Sequence, residues 1–195
     1  LTPAGENQIE VDGEEPLTGI SGQMTREPFS CAKVFDISQP ACEALVALFQ
    51  STDGPNWNNN AGWLVNNQAC TWYGINCQIV TGSLTHVMLD NNGLTGTLPP
   101  EIGNLSLSWL VLSNNEIGGE LPGSIGNLQV ENLVVNNTFL TGPLPLSMVN
   151  LTTLQTFDFS GTTLCIPSDE SIQNWLSSVA LFISSGRNCD DPYPD

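Results

Sequence analysis

Apolar residues alternate along short segments of this chain, and the same arrangement returns at a nearly fixed interval. In the best-formed segment, Val87, Leu89, Leu94 and Leu98 are apolar and frame a polar Asn92. Three later segments carry asparagine or threonine at the equivalent position. The four positions are Asn92, Asn115, Thr138 and Thr162, so the interval is 23, 23 and 24 residues. Repeats of this length indicate a solenoid, because each unit has an apolar side that only a neighbouring unit can cover.

Each unit predicts a short strand with inward side chains at alternate positions, followed by a turn and a return segment. The recurring asparagine suits a buried turn, since its amide can both donate to and accept from backbone groups that the turn leaves unpaired. Thr138 and Thr162 can supply part of this with one hydroxyl each. We therefore expect this column of side chains to hold the turns of successive units.

An apolar-x-Gly-x-Leu-Pro sequence follows three of these positions, at 94–99, 117–122 and 140–145. The whole pattern resembles the plant-type leucine-rich repeat, whose period lies between about 20 and 29 residues. The resemblance implies an α/β solenoid: a short right-handed superhelix of about four repeats with helical N- and C-terminal caps.

The segment before the repeats resembles the N-terminal cap of plant leucine-rich-repeat proteins, such as receptor-kinase ectodomains and polygalacturonase inhibitors. It has a predicted helix at 41–49, a tryptophan-bearing turn and then Cys70-x-Trp72-x-Gly74-x-x-Cys77. The Gly-Pro-Asn-Trp turn at 54–57 and the additional Cys31 and Cys42 are more similar to stand-alone leucine-rich-repeat proteins of algae and other protists.

The chain divides into four predicted parts. They are an acidic extended leader at 1–30, the N-terminal cap at 31–80, the repeats at 81–167, and a C-terminal cap helix with an acidic tail at 168–195. The end helix is predicted from apolar residues at helical spacing. These residues are Ile172, Trp175, Leu176 and Val179.

Six cysteines indicate an oxidising compartment. The cap resemblance implies a Cys70–Cys77 disulfide. A Cys165–Cys189 bond would tie down the end helix, which leaves Cys31 with Cys42. Zinc is the alternative use of cysteines, but zinc sites favour CxxC pairs and histidines, and the chain has no CxxC pair and only one histidine. We expect neither a metal site nor a cofactor.

Three Asn-x-Ser/Thr sequons, at Asn104, Asn136 and Asn150, are consistent with a secreted or surface-exposed glycoprotein. Asn104 and Asn150 lie two repeat periods apart and should project from the same side. Asn136 falls in the strand segment, where a glycan would obstruct the strand surface. Because the chain begins at Leu1, without a Met or a signal peptide, we expect a processed or excised product.

The formal charge of −17 arises because 20 acidic residues face only three basic ones. Such a surface repels nucleic acid and anionic membranes, and it would attract Ca2+ only as weak surface binding. No apolar run is long enough to span a membrane. The charge would suit basic partners, divalent cations or a salty medium, and solubility alone is the alternative interpretation.

The outward strand positions form the predicted binding surface, since solenoids of this kind usually bind across the concave sheet. The candidate partner-binding residues are His86, Met88, Asp90, Trp109, Val111, Asn132 and Val134. Trp109 is the large aromatic among them and could anchor a partner. The alternative is that Trp109 packs against its neighbouring coil.

The outward strand residues do not favour an enzyme active site. His86 and Asp90 lie two strand steps apart on one face, about 13 Å, which is too far for a general-base pair. The sequence offers no nearby nucleophile and no glycine-rich phosphate loop. We predict a non-catalytic extracellular binding module that recognises a protein or peptide. The alternatives are a structural subunit of an extracellular assembly or coat, and a module that binds cell-wall polysaccharide.

Overall fold

Short strands that recur once per repeat build the molecule. In this computed structural model, residues 29–78 and 80–191 are described. Two α-helices flank the strands: α1 spans Gln39–Ser51 and α2 spans Glu170–Ser178. The strands are β1 (Ile75–Cys77), β2 (Leu84–Met88), β3 (Trp109–Val111), β4 (Gly118–Gly119), β5 (Asn132–Val134), β6 (Phe139–Pro143), β7 (Thr156–Asp158), β8 (Thr163–Cys165) and β9 (Leu181–Ile183).

The main sheet has the order β1-β2-β3-β5-β7-β9. From β2 onward the strands are parallel, and β1 pairs antiparallel with β2. The register places one inward side chain of each strand in line with the next. These aligned residues are Val87, Leu110, Leu133, Phe157 and Phe182. The first four are almost completely buried, so the repeat period produces a continuous core.

Three 3-10 helices and a second, smaller sheet of order β4-β6-β8 complete the coils. The helices are Pro100–Asn104, Gly123–Asn127 and Leu146–Asn150. Successive coils touch closely there: a Cβ on Gly103 would collide with the Ser124 carbonyl oxygen, and one on Gly126 with that of Ser147. Glycine is therefore needed at both positions.

The asparagine column has the role expected from the sequence. The Asn115 side-chain oxygen accepts from the backbone N–H groups of Asn92 and Leu94, at 2.9 and 3.0 Å. Its amide nitrogen donates to the carbonyls of Leu89 and Leu112, at 2.7 and 2.9 Å. This one side chain therefore joins two coils. Further along the column, Thr138 and Thr162 each donate to one carbonyl within their own turn.

At the N-terminal end, α1 begins after Ser38 and packs on the first of the 3-10 helices. Its buried side includes Leu45, Leu48 and Phe49, as the apolar spacing predicts. Phe49 and three tryptophans form an aromatic cluster beneath the helix. The cluster consists of Phe49, Trp57, Trp63 and Trp72, with neighbouring ring centroids 4.9 to 5.6 Å apart.

At the C-terminal end, α2 begins after Asp169 and buries Ile172, Trp175 and Leu176, in agreement with the predicted helix. The chain then enters β9, which pairs with β7. The sheet thus continues beyond the four predicted repeats, with β1 at one end and β9 at the other. The predicted leader lies outside the described residues except for Phe29 and Ser30, and the predicted tail is described only to residue 191.

Candidate binding face

The outward side chains of the parallel strands form one surface, which we call the strand face. The register places His86, Trp109, Asn132, Thr156 and Leu181 in one row across the sheet. A second row contains Met88, Val111, Val134, Asp158 and Ile183. Of the sequence-based candidates, His86, Trp109 and Asn132 share the first row, and Met88, Val111 and Val134 share the second.

The predicted residues on this face differ in how much surface they offer. Trp109 keeps 37% of its surface exposed, whereas Val111 and Asn132 keep only 8% and 7%. Met88 and Val134 are half-buried. Trp109 on β3 therefore provides a large accessible apolar group on an interior strand of the face, and Val111 contributes little that a partner could reach.

The polar members of the predicted set are separated from one another. Asp90 is exposed just beyond the end of β2. His86 is half-buried, and its Nδ1 lies 2.9 Å from the Thr85 hydroxyl. The Asn132 amide donates to the Ser108 carbonyl at 3.2 Å, so this side chain is committed to the fold.

Two apolar residues of the strand face were not among the sequence-based candidates. Leu181 and Ile183 are 51% and 41% exposed, and both lie on β9. Their strand was missed because α2 lengthens the last interval to 25 residues, measured from Phe157 to its partner Phe182. The available signal was the apolar run Leu-Phe-Ile directly after the end helix.

The predicted glycosylation positions lie in two different settings. Asn104 and Asn150 are exposed and end equivalent 3-10 helices, so they project from the same side of the coils. Asn136 is half-buried at the end of a strand-face segment. The hydroxyl of its sequon threonine, Thr138, is buried and donates to the Val135 carbonyl at 2.8 Å.

The structure contains three disulfides, and they are the three expected pairs. Cys31–Cys42 and Cys70–Cys77 tie the N-terminal segment, with Cα–Cα distances of 5.7 and 5.6 Å. Cys165–Cys189 joins β8 to the segment that follows β9, at 4.9 Å. These bonds are typical of proteins that fold in an oxidising compartment.

Residues 29–78 and 80–191 lack two features. No helix there combines the length and apolar character that a membrane crossing requires. Nor does this part of the chain bring together three histidine, cysteine or acidic side chains in an arrangement suited to a metal ion.

Comparison with known proteins agrees with the repeat pattern. A family model described as Leucine Rich Repeat matches residues 83–105 and 106–128. The ectodomain of the receptor kinase SOBIR1 from Arabidopsis thaliana is 27% identical, with a TM-score of 0.58 over 75% of this chain and 78% of that chain.

Two further structures show the same fold at lower identity. The BIR3–SERK2 complex from Arabidopsis thaliana gives a TM-score of 0.60 at 22% identity, over 74% of this chain and 81% of that chain. A plant ice-binding protein gives 0.55 at 24% identity, over 68% of this chain and 43% of that chain. The chain is thus an α/β solenoid of leucine-rich repeats, similar to the ectodomains of plant receptor kinases.

Proposed function

We propose that this chain is a non-catalytic, extracellular binding module that holds a protein or peptide partner against the strand face. The observation that carries the proposal is the partly exposed Trp109 on β3, the second of the five parallel strands of that face. Large aromatic residues contribute a disproportionate share of binding energy when a partner buries them. The repeats around it supply a rigid support.

The surroundings of Trp109 suit an uncharged or basic segment of a partner. Met88 and Val134 lie in the second row on the strands to either side, and both keep part of their surface accessible. Asp90 and Asp158 are the acidic groups near this apolar centre. A peptide with an apolar side chain flanked by lysine or arginine would match this arrangement.

Two features support an extracellular location. The three disulfides require an oxidising environment to persist. The exposed Asn104 and Asn150 sequons lie away from the strand face, so glycans there would leave the face free. Peptide mapping of the protein purified from its native source would identify which asparagines carry glycans.

The proposal is tested by selecting peptides from a random display library on the immobilised chain. Peptides that bind the strand face should bind Trp109→Ala about thirtyfold more weakly, which corresponds to a loss of about 2 kcal/mol. The matched control is Phe139→Ala, because Phe139 is 67% exposed but lies on β6 of the second sheet.

Both variants should retain the melting transition of the unchanged chain, since inward Leu110 carries the core at β3. Selected peptides that bind Trp109→Ala with undiminished affinity would contradict the proposed site. A preference for soluble cell-wall polysaccharide over every selected peptide would contradict the proposed partner class.

A further inference from the structure

The main sheet ends in a strand whose outer edge has no neighbour among the described residues. β9 pairs only with β7. The Leu181 N–H donates to the Gln155 carbonyl at 2.8 Å, and the Ile183 carbonyl accepts from the Phe159 N–H at 3.0 Å. Because successive residues of a strand direct their backbone groups to opposite sides, the N–H and C=O of Phe182 point away from β7. A donor and an acceptor are therefore available at the edge.

The side chains of this edge are apolar on both faces. Leu181 and Ile183 are exposed on the strand face. Phe182 points to the other side, where its ring lies 5.6 Å from that of Phe159 and remains half-buried. Proteins usually protect such an edge with charged residues, proline or a bulge, because it is a template for pairing with another chain. β9 contains none of these.

We propose that a second copy of this chain pairs with β9 in antiparallel fashion, with the two-fold axis passing between the two Phe182 residues. In this register, each Phe182 N–H donates to the Phe182 carbonyl of the other copy. Leu181 of one copy then lies directly opposite Ile183 of the other on the strand face. The two-fold axis generates a second, equivalent Leu181–Ile183 pair. The contact is self-complementary, as a two-fold interface requires.

Local charge does not oppose a second copy at this edge, despite the net charge of −17. A two-fold contact brings identical surfaces together, so an acidic segment would oppose itself. The chain from Ser171 to Cys189 contains no acidic residue, and Arg187 is its only charged residue. The acidic side chain next to β9 on the strand face is Asp158 of β7. In the dimer the two Asp158 residues would lie three strand spacings apart, about 14 Å, which exceeds the screening length in physiological salt.

The dimer should be weak, because one short strand per copy buries far less area than a stable interface needs. Sedimentation equilibrium of the whole chain, from ~5 to ~500 μM in 0.15 M NaCl, measures this directly. The average mass should rise from that of the 20.9 kDa chain toward twice that value.

The variant that tests the edge is Ile183→Glu, which places a carboxylate against Leu181 of the other copy. We expect the dimer to dissociate at least tenfold more readily. The matched control is Leu146→Glu: this residue is 57% exposed, lies far along the chain from β9, and receives the same charge change. The control should associate like the unchanged chain, and thermal melting should show that both variants are folded.

Hydrogen exchange tests the register independently. The Phe182 amide should exchange more slowly as the concentration of the unchanged chain rises, and this dependence should disappear in Ile183→Glu. A chain that stays monomeric at the highest concentration overturns the proposal. So does a dimer that Ile183→Glu leaves intact, or one in which the Phe182 amide gains no protection.

Discussion

At its N-terminal end the main sheet finishes in β1, which runs antiparallel to β2, whereas at its C-terminal end it finishes in β9, which runs parallel to β7. β1 has an irregular register at Asn76 and Cys77, and the Cys70–Cys77 disulfide lies at its end. β9 is regular and carries two exposed apolar side chains. An irregular register and a cross-link accompany the strand at the first edge, and the described residues show nothing comparable at the second.

The helices and aromatic contacts at the two ends of the molecule also differ. α1 has 13 residues and covers a cluster of four aromatic rings, whereas α2 has nine residues. The Trp175 ring of α2 lies 6.2 Å from that of Phe157, a looser contact than those around Trp63. The rings around Trp63 at the N-terminal end are therefore packed more closely than Trp175 is against Phe157 at the C-terminal end.

The largest loss of stability should come from removing the Trp63 side chain at the N-terminal end. Its ring is 2% exposed, lies 4.9 to 5.6 Å from three other rings, and its Nε1 donates to the Tyr73 carbonyl. We expect Trp63→Ala to lower the free energy of unfolding by about 4 kcal/mol, as measured in urea.

The matched variant at the other end is Trp175→Ala. It should destabilise by about 3 kcal/mol, since its ring has fewer close aromatic neighbours and its Nε1 bond to the Leu151 carbonyl is long, at 3.3 Å. Equal losses in the two variants would show that the aromatic cluster adds nothing beyond burial.

The two ends should also differ in how much stability their disulfides contribute. Cys165–Cys189 closes a loop with a sequence separation of 24, against 7 for Cys70–Cys77. Chain entropy then predicts that replacing both cysteines by serine destabilises by about 3.5 kcal/mol at the C-terminal pair and by about 2.5 kcal/mol at the N-terminal pair. Urea unfolding of the two double variants measures the difference. A larger loss at Cys70–Cys77 would mean that local geometry outweighs loop length.

The smallest effect is expected at the helix starts. The Asp169 carboxylate accepts from the N–H groups of Ser171 and Ile172 at the start of α2, at 2.9 and 3.3 Å. Asp169→Ala should therefore destabilise by about 1 kcal/mol, which lowers Tm by about 2–4 °C. Asp169→Asn retains the acceptor and should melt within a degree or so of the unchanged chain.

Ser38→Ala is the corresponding change at α1. The Ser38 hydroxyl accepts from the Ala41 N–H at a long 3.4 Å, and α1 is also held by six buried residues. Ser38→Ala should therefore lower the free energy of unfolding by well under about 1 kcal/mol. If Ser38→Ala melted lower than Asp169→Ala, the N-terminal helix would depend more on local capping than the C-terminal one, the reverse of what the hydrogen-bond lengths predict.

The repeats could be predicted from the sequence because a fixed interval specifies which residues face the same way. The interval between Asn92 and Asn115 sets the alignment of successive repeats. The hydrogen bonds from the Asn115 side chain to the backbone follow from the chemistry of an amide in a turn. β4 could not be predicted in this way. It consists of two glycines, which have low strand propensity, and it forms only because the coils bring it beside β6.

The sequence predicted which residues lie on the strand face, but not how much of each side chain is exposed. The interval places Trp109 and Val111 on the same face, yet their exposure differs fourfold or more. Exposure depends on the sizes and rotamers of side chains on neighbouring strands, and a periodic pattern does not contain that information. For the same reason Leu181 and Ile183 were missed, since their place on the face follows from the length of α2.

The close contact between glycine and serine on successive coils has a consequence for how this chain could change by recombination. Gly103 lies beneath Ser124, whose hydroxyl donates to the Pro100 carbonyl, and Gly126 lies beneath Ser147, whose hydroxyl donates to the Gly123 carbonyl. If residues 106–128 were excised, Gly103 would meet Ser147 in the arrangement that Gly126 now has. The glycine–serine contact would thus survive the loss or gain of one unit. A duplicated unit, which would also repeat the bonds of Asn115 to the preceding coil, would lengthen the strand face while leaving both ends of the molecule as they are.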